Sequence, residues 1–341
     1  MRFVINTNYE SAGTKVCVDD LIPRLVAAGH IVKRNDWSHY DQYDVALFMA
    51  PDSAVDIAKA SNPKILTGIM DPKLTLKRQR EEAVRADFVL VSSLEQRDIF
   101  YRYNKQVVIY YMFPHVPAQN KVHTSKKSEE RIRIGYHGNK LHLHCMQPVS
   151  AALDELSDKY LIEFAPIYNV KNLGKWTLNR PKRCPVVDVQ WQAGSFYNDV
   201  HACDVGIIPS LIPIPRTAQV FTRSFLSYVW NRIGYFRHDY ILRFKYSTNP
   251  GRLYVFSQLG VPVVADFVPS HVQFIVDGVS GRLVYSKESW YQALEELILD
   301  AQKRQRMSDA LRMFVDSTYS PDINFNHLME FIQERQKSLF V

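Results

Sequence analysis

What most constrains this chain is an alternation. Short runs rich in Val, Ile, Leu and Phe keep returning, and the stretches between them place their apolar residues at helical spacing. The apolar runs predict strands at 2–7, 45–49, 65–69, 88–91 and 107–110, with helical periodicity over 52–60, 77–86 and 94–101. Val16, Leu21, Ile22, Leu25 and Val26 mark an earlier helix that Gly29 stops. Strands separated by helices are joined by crossovers, and crossovers give a parallel sheet covered on both faces. The first hundred residues therefore read as a Rossmann-like α/β domain.

The pattern breaks at 114–130, which is polar, charged and contains Pro114 and Pro117, and then restarts. Strands are expected at 132–136, 161–166, 186–191, 205–209 and 261–265. Helices are expected at 146–156, 196–203, 252–258, 290–299, 304–315 and 324–337. The organisation this implies is an N-terminal domain over 1–118, a linker over 119–130 and a second Rossmann-like domain over 131–321 carrying an insert at 211–246. A helix over 322–341 packs back on the first domain. Two doubly wound domains facing a cleft are the expected architecture, and ligands in such folds sit beyond the carboxyl ends of the strands.

Apolar residues make up 46% and charged residues 23%, which excludes a disordered chain. No run approaches the ~20 apolar residues that span a bilayer. The opening residues read as a strand rather than a secretion signal. Cys17, Cys145, Cys184 and Cys203 form no Cys-x-x-Cys pair, so reduced thiols in a cytoplasmic protein are expected.

Two loops are candidates for chemistry. Gly135-Tyr136-His137-Gly138-Asn139-Lys140 follows a predicted strand, where glycines allow close approach of a phosphate or simply make a tight turn. Lys245-Tyr246-Ser247-Thr248-Asn249-Pro250-Gly251-Arg252 opens a helix and reads either as a diphosphate cradle or as an ordinary N-cap with solvated cations. His142, His144 and Cys145 lack a second ligand group at zinc spacing, and there is no Asp-x-Asp, so no metal site is expected. Asp71 is the first-domain candidate for a base facing the cleft, against the simpler reading of a turn aspartate before Pro72. Gly13 and Thr14 occupy a loop expected to face the cleft. Asp19 and Asp20 read as a solvated helix face.

The formal charge of +7 is local. Residues 211–252 carry seven cations against one anion, together with nine aromatic residues. Such a stretch suits stacked bases of a single-stranded nucleic acid, a membrane surface or a pocket for a phosphorylated ligand. Its confinement to one segment favours an anionic ligand at the cleft and argues against nucleic acid, while leaving peripheral membrane contact through 211–246 open.

The run Gly251-Arg252-Leu253-Tyr254-Val255-Phe256-Ser257-Gln258-Leu259-Gly260-Val261-Pro262-Val263-Val264-Ala265-Asp266 resembles the nucleotide-sugar segment of GT-B glycosyltransferases, above all family 4. The resemblance continues through Ile275-Val276-Asp277-Gly278-Val279-Ser280-Gly281-Arg282-Leu283-Val284, Trp290-Tyr291-Gln292-Ala293-Leu294 and Tyr319-Ser320, and covers most of 132–320. It implies transfer of a hexose from a nucleotide sugar to an acceptor, with retained configuration and no cofactor or metal. By position, Gly135, His137, Gly138, Asn139, Ser247, Thr248, Asn249 and Arg252 would bind the donor. Lys245 and Arg252 would stabilise the leaving diphosphate. The family's two glutamates are replaced by Ser247 and Val255. That departure keeps open a nucleotide-sugar-binding homologue without turnover, and a nucleotide-sugar epimerase stays open because that activity shares the GT-B fold.

Overall fold

Val45, Ala46, Leu47, Phe48 and Met49 are all buried, as a strand must be when helices cover both faces of its sheet. A computed structural model of the chain describes residues 1–8, 14–49, 53–73, 76–211 and 249–338. In it these residues form β3 (Val45–Met49), inside a six-stranded sheet with β1 (Arg2–Asn6), β2 (Ile31–Arg34), β4 (Leu66–Met70), β5 (Phe88–Val91) and β6 (Val107–Ile109). The order is β2-β1-β3-β4-β5-β6 and every pairing is parallel. Adjacent residues of β1 serve opposite faces. Phe3 and Ile5 join Phe325, Leu328 and Ile332 of the helix Pro321–Ser338, whereas Val4 joins Tyr40, Val55 and Ala58.

The helix expected over 16–26 comes in two pieces, a π-turn Lys15–Asp19 followed by the helix Leu21–Ala27. Asp19, at their junction, pairs with Arg34 at 3.0 Å. Gly29, at φ 80°, ends the helix: its amide donates to the Val26 carbonyl and the His30 amide to that of Leu25.

A second sheet contains β7 (Ile132–His137), β8 (Ile162–Tyr168), β9 (Val189–Gln190), β10 (Val205–Ile208), β11 (Val263–Asp266) and β12 (Arg282–Val284), again all parallel, in the order β12-β11-β10-β7-β8-β9. Tyr136, Phe164, Trp176, Trp290 and Leu294 lead its core. The strand expected at 186–191 shrinks to two residues, with Val186 making a single bridge to Phe164.

The two units are Met1–Ala118 with Tyr246–Gln258 and Arg312–Val341, and Gln119–Lys245 with Leu259–Leu311. This corrects the expected boundaries twice. The helix Gly251–Gln258 groups with the first unit because Tyr254 stacks on Phe113 at 4.4 Å and the Asn249 amide donates to the Met112 carbonyl at 2.8 Å. Arg312 also donates to the carbonyls of Ser257 (3.0 Å) and Gln258 (2.6 Å).

Residues 119–130 are not a free linker. Lys121 Nζ donates to the carbonyls of His201 and Cys203, and His123 Nε2 donates to that of Gly260 at 2.8 Å. Buried Arg304 ties Thr124 to Leu297 and Ile298 at the carboxyl end of the helix Lys287–Leu299. Polar residues that look like linker composition are docked on carbonyls, several of them at helix carboxyl ends, where donors and positive charge are favoured.

The basic and aromatic residues from 212 to 248, with Lys245, Ser247 and Thr248, lie outside the described residues, as does Gly13. Among the described residues no helix is long and apolar enough to cross a membrane.

Candidate functional site

In doubly wound sheets the crevice opens where strand order reverses, beyond the carboxyl ends. That point lies between β1 and β3 in the first sheet and between β7 and β10 in the second.

At the second point β7 runs through His137, so Gly135 is a strand residue. A Cβ on Gly135 would sit 2.2 Å from the Cys203 sulfur, so packing alone requires a glycine there. The turn proper begins at Gly138, whose φ of 137° is closed to L side chains. Asn139 then caps a 3-10 turn, Lys140–Cys145, its Oδ1 accepting from the Leu141 amide at 2.9 Å, and Tyr136 Oη donates to the Asn139 carbonyl at 2.7 Å. His137 is buried, 6.0 Å from the Phe196 ring.

Beside this turn, where β10 and β11 end, lies a buried polar knot that the sequence reading did not single out. Asp266 Oδ2 accepts from the amides of Ser210 (2.6 Å) and Leu211 (2.8 Å), while Oδ1 accepts from Trp290 Nε1 at 3.2 Å. His271 Nδ1 lies 2.7 Å from the Asp266 carbonyl, which can only accept, so Nδ1 donates there, and Nε2 lies 3.5 Å from Ser210 Oγ. All four side chains are at most 1% exposed. Three N–H groups thus satisfy the two oxygens of a side chain that would otherwise be buried without partners. The signal was present in the chain: Asp266 ends the apolar run Val263-Val264-Ala265, where a charge needs a reason.

The first sheet is organised differently. Asp71 follows β4 with φ 45°, an uncommon conformation for a non-glycine residue and one that Asp tolerates better than most. Its carboxylate is paired with Lys73 Nζ and accepts from Gln96 Nε2 at 3.2 Å. Gln96 is fixed in turn: Nε2 also donates to the Pro72 carbonyl at 3.0 Å, and Oε1 accepts from the Ser92 amide at 2.9 Å. The Cys17 thiol is pushed well up, first by burial and then by the negative charge of Asp71. Thr14, fully buried, leads into the π-turn that carries Cys17. Lys73 and Gln96 had no motif to announce them.

Asn249 and Arg252 belong to the first unit. The Asn249 amide is spent on Met112, and Arg252 is half-buried on the first turn of its helix. Val255, where the resemblance leads us to expect a glutamate, is fully buried. A carboxylate there would need partners that an apolar contact does not. Among the described residues no three His, Cys, Asp or Glu side chains converge as a metal site would require.

No family model matches the chain, and no curated protein matches it. Solved structures do. The lipopolysaccharide outer core galactosyltransferase WaaB is 12% identical, with a TM-score of 0.63 over 98% of this chain and 100% of that one. Anabaena Alr3699/HepE in complex with UDP-glucose is 12% identical, with a TM-score of 0.59 over 98% and 100%. TarM is 10% identical with a TM-score of 0.55, and the match covers 84% of this chain but only 54% of TarM. At these identities the likeness is one of fold, and the fold is GT-B: two parallel six-stranded sheets with flanking helices.

Proposed function

We propose that the chain is a glycosyltransferase that takes a sugar from a nucleotide-sugar donor held by the second unit. The observation that carries this reading is the turn at the β7/β10 reversal, where Gly138 adopts a conformation only glycine accepts readily and Asn139 caps the next helical turn. Backbone amides at such a turn suit an anionic diphosphate. Arg252 is proposed to assist with Lys245, so that the leaving diphosphate is stabilised by amides and cations and no metal is needed. Transfer of a hexose with retained configuration is part of the same proposal. HepE has been solved with UDP and with UDP-glucose, which makes uridine donors the first to try.

In the first unit Asp71 is proposed to meet the acceptor hydroxyl, and its ion pair with Lys73 and hydrogen bond from Gln96 would fix its direction. The test is a panel of UDP-, GDP- and ADP-sugars, scored by thermal shift and then by sugar release with and without EDTA. Stabilisation by at least one donor and EDTA-resistant turnover are expected. No shift at millimolar concentration would remove the donor-site reading. Binding without any release would favour a non-catalytic nucleotide-sugar binder, which the buried Val255 already recommends as the second reading.

A further inference from the structure

We propose that Trp191 is the platform on which the base of the donor nucleotide stacks; the proposal rests on the nucleotide-sugar reading above. A nucleotide presents a flat, apolar-faced base at one end and an anionic diphosphate at the other. The second unit offers matching features in file. Trp191 lies 5.8 Å from Phe196 with the rings inclined at 32°, and Phe196 lies 6.0 Å from His137 at 34°. Phe196 and His137 are buried, whereas Trp191 is only half-buried, so the file runs from the interior toward solvent. The buried end of the file is the residue directly before Gly138, where the diphosphate is placed.

The platform stands on a fixed backbone. The Trp191 amide donates to the Tyr168 carbonyl at 2.9 Å, and its own carbonyl accepts from Gln190 Nε2 at 2.8 Å. Gln190 is locked in turn, with Nε2 donating to Asn169 Oδ1 at 3.2 Å and Oε1 accepting from the Lys171 amide at 2.9 Å. A ring carried on a fixed backbone and packed beside Phe196 loses less freedom when a base settles on it than a ring on a free loop would. Beyond it, a Cβ built on Gly194 meets nothing within 4 Å, so this part of the loop leaves open space. Stacking uses the π-face that every base has, so Trp191 would supply affinity for nucleotides in general, with discrimination among bases arising elsewhere.

Titrating the intact chain with UDP, GDP, ADP and inorganic pyrophosphate tests this. Trp191→Ala is expected to weaken the nucleoside diphosphates by about 5- to 100-fold and to leave pyrophosphate binding unchanged. Trp191→Phe should stay within a few-fold of the parent. Trp191→Leu, which keeps apolar bulk without a π-face, should resemble the alanine variant and guards against a variant that does not fold. Equal nucleotide affinity in parent and Trp191→Leu overturns the proposal, as does an equal loss of pyrophosphate binding. A parent chain that binds pyrophosphate but no nucleotide also overturns it. Failure of the parent to bind either one would instead remove the donor reading beneath it.

Discussion

The two sheets share an architecture and end in opposite ways. Where the first terminates, a non-glycine residue, Asp71, bends into the left-handed region and carries a charge paired with Lys73. Where the second terminates, the unusual conformation is left to Gly138, and Asp266, the carboxylate of the knot, accepts from three N–H groups. One edge keeps a charged side chain in a strained corner. The other spends its charge on structure and presents backbone and aromatic rings. Strain in a side-chain-bearing residue is tolerated where surrounding contacts over-determine it, and it tends to accompany a chemical role. A relaxed glycine turn suits passive cradling. The contrast agrees with the proposed division, in which Asp71 meets the acceptor and the Gly138 turn holds the donor.

The contrast can be broken most forcefully at Asp266. Asp266→Ala would orphan the amides of Ser210 and Leu211 and the Trp290 indole N–H, and a loss of about 4 kcal/mol in urea unfolding is expected. Asp266→Asn, which keeps one acceptor oxygen, should lose about half as much. A stable alanine variant would mean that this carboxylate does not hold the second edge.

Acid provides the next test, because burial pushes His123 of the second unit down to about 4 from its ordinary 6.5. The unfolded chain therefore binds more protons between those values. Stability is full above about 6.5 and falls as the pH drops toward 4, by on the order of 3 kcal/mol. The emission of tryptophans buried in the second unit, Trp176 and Trp290, would report it, and His123→Leu should flatten the profile.

Smaller effects separate the two turns directly. Gly138→Ala should lose about 2 kcal/mol, because a Cβ is forced into its unusual backbone conformation. Asp71→Gly releases the strained conformation while giving up the pair with Lys73, so its stability should stay within about 1 kcal/mol of the parent. Its transfer rate should nonetheless fall by at least tenfold. If both substitutions shift the melting temperature equally, the two turns are alike and the division of roles fails.

How far these features could be read in advance depends on how local their causes are. Val45–Met49 and Phe88–Val91 were legible as strands because every residue in them is buried. Ile31–Arg34 and Arg282–Val284 were not, since edge strands bury little and Ile31 is 66% exposed. The packing demand at Gly135 was not legible because its partner, Cys203, is distant in the chain. Lys121 and His123 looked like linker residues because the carbonyls they grip come from other elements. Asp71 before Pro72 was legible as a turn residue, but its left-handed backbone angle was not, since Asp adopts other conformations far more often. Trp191 could be read only as the end of a strand until Phe196 and His137 were placed beside it.

The first unit is assembled from three separate stretches of chain. Phe325, Leu328 and Ile332 fill the core under β1 and β5, and the Tyr111 amide donates to Asn324 Oδ1, 213 positions further on. A ribosome emits β1 to β6 long before it emits the helix Pro321–Ser338 that covers them. During synthesis that sheet is therefore left with one apolar face uncovered, a period in which a chaperone is most needed. The second unit, made later, can close sooner, so the order of completion is the reverse of the order of translation. A stop codon before residue 321 would then damage the earliest-made part of the molecule most, and pulse-labelled nascent chains should show protease-resistant second-unit fragments ahead of first-unit ones.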